Sequence, residues 1–277
     1  AISQEFGNWG GGENMSRKPY SWLVVVGMIS LCIGLSGCGK NVDTVAESTV
    51  PIEIGEHVMY GSYQGEPVEW RVLDKKDGEI LLLSEYGLDA QPFDTSGKSR
   101  VDWKDSTIRK WLNDDFYNSA FSEKEKENIV ESKSEGFEEY NTSMNLTGGG
   151  KPYAYLEREI EDKVFLLSNT ELCAYFSEDP YPGCYSDPYA HKELLCYPTA
   201  YAKQQLETRY QTETCGWWLC NHVYEDDSVE LVSAYGQGSG TSRENIKANT
   251  KSIAVRPAMW VTWQSDMEMV EANQQVE

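Results

Sequence analysis

Hydrophobic and polar positions alternate through three successive runs, "HVMYGSY" (57–63), "PVEWRVLDKK" (67–76) and "GEILLLSEYGLDA" (78–90). Alternation and short continuous apolar runs mark strands, and the intervening "QGE" and "KDG" carry turn chemistry, so the pattern predicts an antiparallel meander. The period then changes. "DSTIRKWLNDDFYNSAF" spaces Ile108, Trp111, Leu112 and Phe116 along one helix face. In the following "SEKEKENIV", Ser122 and Glu125 have the spacing of a capping box. Residues 131–162 are polar and Gly-rich and read as a loop. "DKVFLLS" predicts a buried strand, and Ser168 with Glu171 caps a short helix over "TELCAYF". An irregular, aromatic and acidic loop, "SEDPYPGCYSDPYAHKEL", leads to a further helix in "PTAYAKQQL", with Pro198 near its first turn. "GWWLCN", "VELVSAY" and "SIAVRPAMWVTW" predict three closing strands, Pro257 belonging at a strand end, a bulge or an edge. This order predicts an α+β fold of antiparallel sheets with two or three short helices.

The beginning of the chain follows another pattern. Arg17 and Lys18 precede the apolar run "WLVVVGMISLCIGL", which ends in "LSGC". A basic stretch, a short apolar stretch and small residues before a cut site make a secretory signal peptide. Trp22 to Leu35 is shorter than the roughly 20 residues of a membrane span. Leu35, Ser36, Gly37 and Cys38 resemble the lipobox of bacterial lipoproteins, which implies cleavage before Cys38 and a diacylglycerol on its thiol. Two acyl chains anchor stably where one is marginal. "AISQEFGNWGGGEN" fits neither feature and reads as an upstream artefact. The predicted organisation is therefore residues 1–14 as that artefact, 15–37 as signal peptide and 38–51 as a polar tether. One domain follows over 52–264, then an acidic tail over 265–277. The predicted location is the outer face of a bacterial cell membrane.

Charge narrows the partners. The formal net charge is −21, and removing residues 1–37 takes away equal numbers of acidic and basic side chains. Such a surface repels phosphate backbones, which excludes nucleic acid as the expected partner. The abundance of Trp and Tyr suits a core with amphipathic residues at its rim. With Cys32 in the signal and Cys38 lipidated, Cys173, Cys184, Cys196, Cys215 and Cys220 remain. An odd number outside the membrane leaves at least one unpaired or bonded to another chain.

"CGWWLCNH" (215–222) is the stretch closest to metal or redox chemistry. A structural zinc site needs four ligands, and Cys215, Cys220 and His222 offer three. On a strand Cys215 and Cys220 point to opposite faces, while Cys220 and His222 share one. No metal or other cofactor is expected. The chain has neither a Gly-rich phosphate loop nor a His-Glu-x-x-His helix, and its carboxylates are too many for a catalytic pair to stand out. "EDD" (225–227) and "SEDP" lack EF-hand spacing.

A binding module is the better expectation. Between Trp218 and Val255 the chain is rich in Tyr, Ser, Gly and Asn, the mixture that recognition loops use. The candidate ligand-binding residues are Trp218, Asn221, His222, Tyr224, Asp226, Asp227, Tyr235 and Arg243. Of Trp217 and Trp218, one is expected in the core and the other as an exposed platform. A solvated loop between two core strands is the plainer alternative.

"VEWRVLDKKDGEILLLSEYGLDAQPF", "WKDSTIRKWLNDDFYNSAFSEKEK", "DKVFLLS", "PTAYAK", "CGWWLCN" and "AVRPAMW" together resemble one bacterial domain of unknown function, number 6273, common in secreted proteins and lipoproteins. The resemblance spans nearly all of residues 54–263. In that family the tryptophans usually continue as Trp-Trp-Leu-Arg-Ser, where this chain has Cys220 and Asn221. The family resemblance also implies a disulfide between Cys196 and Cys215. The Trp-rich strand and "VRPAMW" are similar to C-type-lectin-like folds, including formylglycine-generating enzymes, in which two cysteines at this spacing bind copper. The resemblances thus imply a C-type-lectin-like domain that binds a protein or glycan. The alternatives are a copper oxidase using Cys215 and Cys220, or a purely structural envelope protein. The Glu-Pro-Asn and Trp-Asn-Asp motifs of calcium-dependent lectins are absent, which argues against calcium-mediated sugar binding.

Overall fold

The computed structural model of the chain describes residues 51–98, 101–133, 160–176, 192–207, 212–222, 229–237 and 248–270. All of these lie in one of the chain's two units, residues 47–277. The alternating runs form β1 (His57–Tyr63), β2 (Glu66–Lys76) and β3 (Glu79–Ser84), an antiparallel meander. Both connections have positive φ at their two central residues, 54° and 86° at Gln64 and Gly65 and again at Asp77 and Gly78. That is the geometry of type I′ turns, whose twist matches the flanking strands. Gly61 sits in the irregular stretch of β1 between Met59 and Ser62 with φ 69°. A Cβ there would lie 2.7 Å from the Ala120 carbonyl and the Phe121 ring, so glycine alone lets the following helices close on β1.

Those helices form one continuous arm of α1 (Thr107–Trp111), a π-helical turn (Leu112–Phe116) and α2 (Tyr117–Ala120). Ile108, Leu112 and Phe116 are buried on the expected face. The π turn contains Asn113, whose Nδ2 donates to the Arg109 carbonyl at 3.0 Å and the Val164 carbonyl at 2.9 Å. Its Oδ1 accepts from the Lys163 and Val164 amides at 3.0 and 3.2 Å. One side chain thus takes the place of a strand partner for 163–164. Buried Asp162 completes the joint, accepting from Trp103 Nε1 at 2.8 Å and Arg109 Nε at 2.7 Å. Helix α3 (Glu123–Lys126) opens on the capping box of Ser122 and Glu125, and β4 (Ile129–Val130) follows.

"DKVFLLS" is buried as expected, yet it is not a regular strand. Val164 to Leu167 are fully buried, with a single β-bridge from Phe165 to Ala258. The Cys220 amide donates to the Leu167 carbonyl at 3.0 Å, so this segment bonds to Ala258 at one end and to Cys220 at the other. Ser168 and Glu171 start α4 (Asn169–Phe176) through reciprocal bonds of 2.7 and 3.1 Å. Helix α5 (Ala200–Gln205) is capped by Thr199, which places Pro198 just outside its first turn.

The closing strands are β5 (Trp217–His222), β6 (Val229–Val232), β7 (Ala258–Thr262) and β8 (Glu268–Met269). Six strands form one antiparallel sheet in the order β4-β7-β3-β2-β1-β8, and β5 and β6 form a separate pair. Strand β8 falls in the stretch expected as an acidic tail; it pairs with β1, Met269 opposite Val58. Pro257 marks a change of sheet. Before it, Ala254 bonds to both Gly216 and Trp218 beside β5, at 2.8 and 3.1 Å. After it, β7 lies between β3 and β4. A residue without an N–H fits where the chain leaves one ladder for another. The fold is α+β, with antiparallel sheets and short helices. Among the described residues no helix is long and apolar enough to cross a membrane.

Candidate functional site

Strand β5 brings the two tryptophans into the core together. The Trp217 indole donates to the Leu194 carbonyl at 3.1 Å, and its ring lies 5.0 Å from the Arg256 guanidinium carbon. The Trp218 indole donates to the Gln91 carbonyl at 3.1 Å, and its ring packs on Phe93. Both side chains are fully buried. Trp218 is therefore no platform, because the hairpin is covered on both faces. Asn221 is also buried, its Oδ1 accepting the Asn169 amide at 2.7 Å. The structure thus withdraws Trp218 and Asn221 from the expected binding surface.

The remaining expected residues are placed as follows. His222 ends β5 opposite Val229, and only its backbone is described. Cys38, Tyr224, Asp226, Asp227 and Arg243 lie outside the described residues. Tyr235 stands on a tight turn after β6, closed by Ser233 N–H to the Gln237 carbonyl at 2.8 Å and Gly236 N–H to the Ser233 carbonyl at 2.9 Å. Its own amide donates to Ser233 Oγ at 3.3 Å. The ring is 59% exposed on this built turn.

Beneath the hairpin lies a polar group that alternation places on the wrong side. Glu230, between Val229 and Leu231, reads as an outward residue of β6, yet every residue of the strand is buried. Its Oε2 has no hydrogen-bond partner among the described residues. Burial pushes the carboxyl up to about 8, against the opposing hydrogen bond from Asn169. At neutral pH the group is mostly a neutral acid that can donate a proton. No signal within "VELV" distinguishes it from a solvated glutamate.

A row of charges crosses the other sheet. His57 Nδ1 lies 2.6 Å from Glu69, and Arg71 holds Glu85 through two bonds of 2.9 Å. Glu85 Oε2 then lies 3.8 Å from Arg256 Nη2. Arg256 is fully buried; its Nε donates to the Ser84 carbonyl at 2.8 Å, while Nη1 and Nη2 have no hydrogen-bond partner among the described residues. Its "VRPAMW" context reads as core strand and carries no sign of a buried guanidinium.

Cys196 and Cys215, the pair implied by the family resemblance, meet here as two buried thiols. The Cys215 amide donates to the Cys196 carbonyl at 2.8 Å, and its Sγ lies 3.5 Å from the same oxygen. Cys220 is elsewhere, its Sγ 3.9 Å from Asn221 Oδ1. Five residues of extended chain separate Cys215 from Cys220 by roughly 16 Å. Their placement, Cys215 against Cys196 and Cys220 beside Asn221, does not bring them together as the ligand pair that the copper-oxidase alternative needs. Among the described residues no three His, Cys, Asp or Glu side chains gather to hold a metal ion.

One family model matches more than half of the chain, over residues 77–263, and its description is Domain of unknown function (DUF6273). No curated protein and no solved structure matches.

Proposed function

The chain belongs to the DUF6273 family, and from that premise we propose that it is a C-type-lectin-like ligand-binding domain recognising a protein or glycan. In this reading a lipid on Cys38 holds it on the outer face of a bacterial membrane. The observation that carries the binding role is Tyr235, a largely exposed ring on an ordered turn whose supporting strand is buried throughout. A rigid aromatic that loses little freedom on binding is the usual anchor of an interface. The separate β5–β6 pair and its packed flank at Ile253–Arg256 support the lectin-like part, since such a fold carries its recognition loops on a packed strand scaffold. The net charge of −21 favours neutral or cationic ligands over polyanions.

Two measurements test the reading. Purified protein is applied to arrayed neutral oligosaccharides and to immobilised basic proteins, and retention is compared with that of Tyr235→Ala. An anchor residue is worth about 2 kcal/mol or more, so retention on the bound probe should fall roughly thirtyfold. Equal retention removes Tyr235 from the binding surface, and no retention of the wild type on either array removes the ligand classes proposed. Separately, Cys38→Ala, expressed in a bacterium, should move the protein from the membrane fraction to the soluble fraction. Unchanged fractionation sinks the lipid anchor.

A further inference from the structure

We propose that Cys196 and Cys215 are a reversible dithiol–disulfide site, held toward its reduced form by the buried guanidinium of Arg256. Three observations converge. The sulfurs border one space, because a Cβ added to Gly87 would meet Cys215 Sγ at 3.2 Å and Cys196 Sγ at 3.5 Å, and Cys215 Sγ also lies 3.5 Å from the Cys196 carbonyl. Glycine at 87 leaves the space that both occupy. The backbone bond of 2.8 Å from Cys215 to Cys196 fixes the two segments side by side. Arg256 is fully buried, its guanidinium carbon 5.0 Å from the ring of Trp217, two residues after Cys215, and among the described residues both its terminal nitrogens lack hydrogen bonds.

A buried cation needs a compensating charge. Glu85 stands 3.8 Å away, but it already forms two bonds to Arg71. A thiolate at Cys196 supplies the missing charge. Burial pushes that thiol up, but the contact with Cys215 and the charge of Arg256 outweigh it, so Cys196 lies below the ordinary thiol range. Cys215 lies above it, because it donates to Cys196 and is itself buried. A disulfide is neutral and leaves Arg256 only the carboxylate of Glu85, 3.8 Å away and shared with Arg71. Interactions present only in the reduced form make a disulfide more readily reduced. The site is thereby distinguished from a permanent cross-link.

The reaction balances with a low-molecular-weight disulfide of the glutathione class as oxidant. The Cys196 thiolate attacks one of its sulfurs, forming a mixed disulfide and releasing a thiolate, which takes the proton of Cys215. The Cys215 sulfur then attacks the Cys196 sulfur, the Cys196–Cys215 bond forms, and the second small thiolate leaves. Two electrons pass from the cysteines to the oxidant. Since the cysteines are 1% and 6% exposed, exchange requires local opening of the 196 and 215 segments. Cys215 directly precedes Gly216 and β5, so the bond opens and closes at the root of the hairpin that carries Tyr235.

The test is a redox titration of the full chain. Protein started oxidised and protein started reduced are equilibrated in glutathione buffers, quenched with acid and alkylated with N-ethylmaleimide, and residues 196 and 215 are mapped by peptide mass. The expected result is a single transition inside the glutathione range, reached from both directions. A linked pair in every buffer, or two alkylated thiols in every buffer, overturns the proposal. Arg256→Met should lower the equilibrium constant for reduction roughly tenfold, the equivalent of one unit of thiol pKa. Should that variant not fold, Glu85→Gln tests the same point with the opposite sign. Removing the carboxylate that competes for Arg256 should favour the dithiol several-fold. An unmoved transition in folded Glu85→Gln, or one moved toward the disulfide, sinks the role of Arg256.

Discussion

In the meander and its helical arm the buried side chains of Trp70, Trp103 and Asp162 are hydrogen-bonded; among the described residues, Glu230 on the β5–β6 hairpin and Arg256 at its junction with β3 are only partly so. The Trp70 indole reaches the Tyr60 carbonyl at 2.7 Å, and Asp162 accepts from both Trp103 and Arg109. On the hairpin and at that junction, Glu230 Oε2 and both terminal nitrogens of Arg256 lack hydrogen bonds among the described residues. The strands differ in the same sense. β2 mixes exposed and buried positions along its length, whereas β6 is buried at every position. Native proteins leave few buried polar groups unpaired, and the exceptions gather where a chain gives up stability for some other purpose. The meander is the part built for stability, and the hairpin is the part that carries the cost.

The largest test of this contrast is Trp217→Ala. Truncating a fully buried tryptophan costs roughly 3–5 kcal/mol, and here it also strips the ring beside Arg256. Chemical denaturation should show the whole domain weakened. A loss below about 1 kcal/mol would mean that the hairpin can detach from the rest.

A smaller effect of opposite sign is expected from Glu230→Gln. The folded carboxyl titrates at about 8 against 4.5 for the unperturbed group. Between those values the unfolded chain has lost a proton that the folded chain retains. The stability linked to this group is therefore full below pH 4.5, falls as pH rises, and is lost once pH passes 8. Glu230→Gln should flatten that slope and stabilise the domain by roughly 2–4 kcal/mol above pH 8, below the ceiling of about 5 kcal/mol that the full shift would set. Melting temperatures measured from pH 4 to 9 decide it. Parallel curves for wild type and variant would show that Glu230 ionises freely.

The smallest expected effect sharpens the comparison from the solvent side. Tyr235→Ala should change stability by no more than about 0.5 kcal/mol, because an exposed side chain adds little to the core. A melting temperature lowered as far as in Trp217→Ala would make Tyr235 part of the packing.

Local pattern made much of the large sheet legible. Alternation located β1 to β3, and helical spacing picked out Ile108, Leu112 and Phe116. Reciprocal Ser and Glu residues marked the starts of α3 and α4 because a capping box is itself a local interaction. Legibility failed where the environment comes from distant segments. Period-two reasoning gives each tryptophan of β5 a face, but it cannot say that both faces are covered. Glu230 is misplaced for the same reason. The strand character of 163–168 is cut short by the Asn113 amide, which stands some fifty positions away. Arg256 shows no sign of its isolation, since partners along a ladder are spoken for only once the ladder exists.

The place of β7 between β3 and β4 bears on how the chain comes together in time. Leu82 must wait for Met259, and Ile129 for Val261, so the middle of the sheet is completed by residues far along the chain. Until then β3 offers an apolar, unpaired edge, the hazard that finished sheets take care to hide. Pairings so distant along the chain are slow to form. A nascent chain of this topology stays unclosed until β7 has been made, which is the condition in which a polypeptide can still be threaded through a narrow channel.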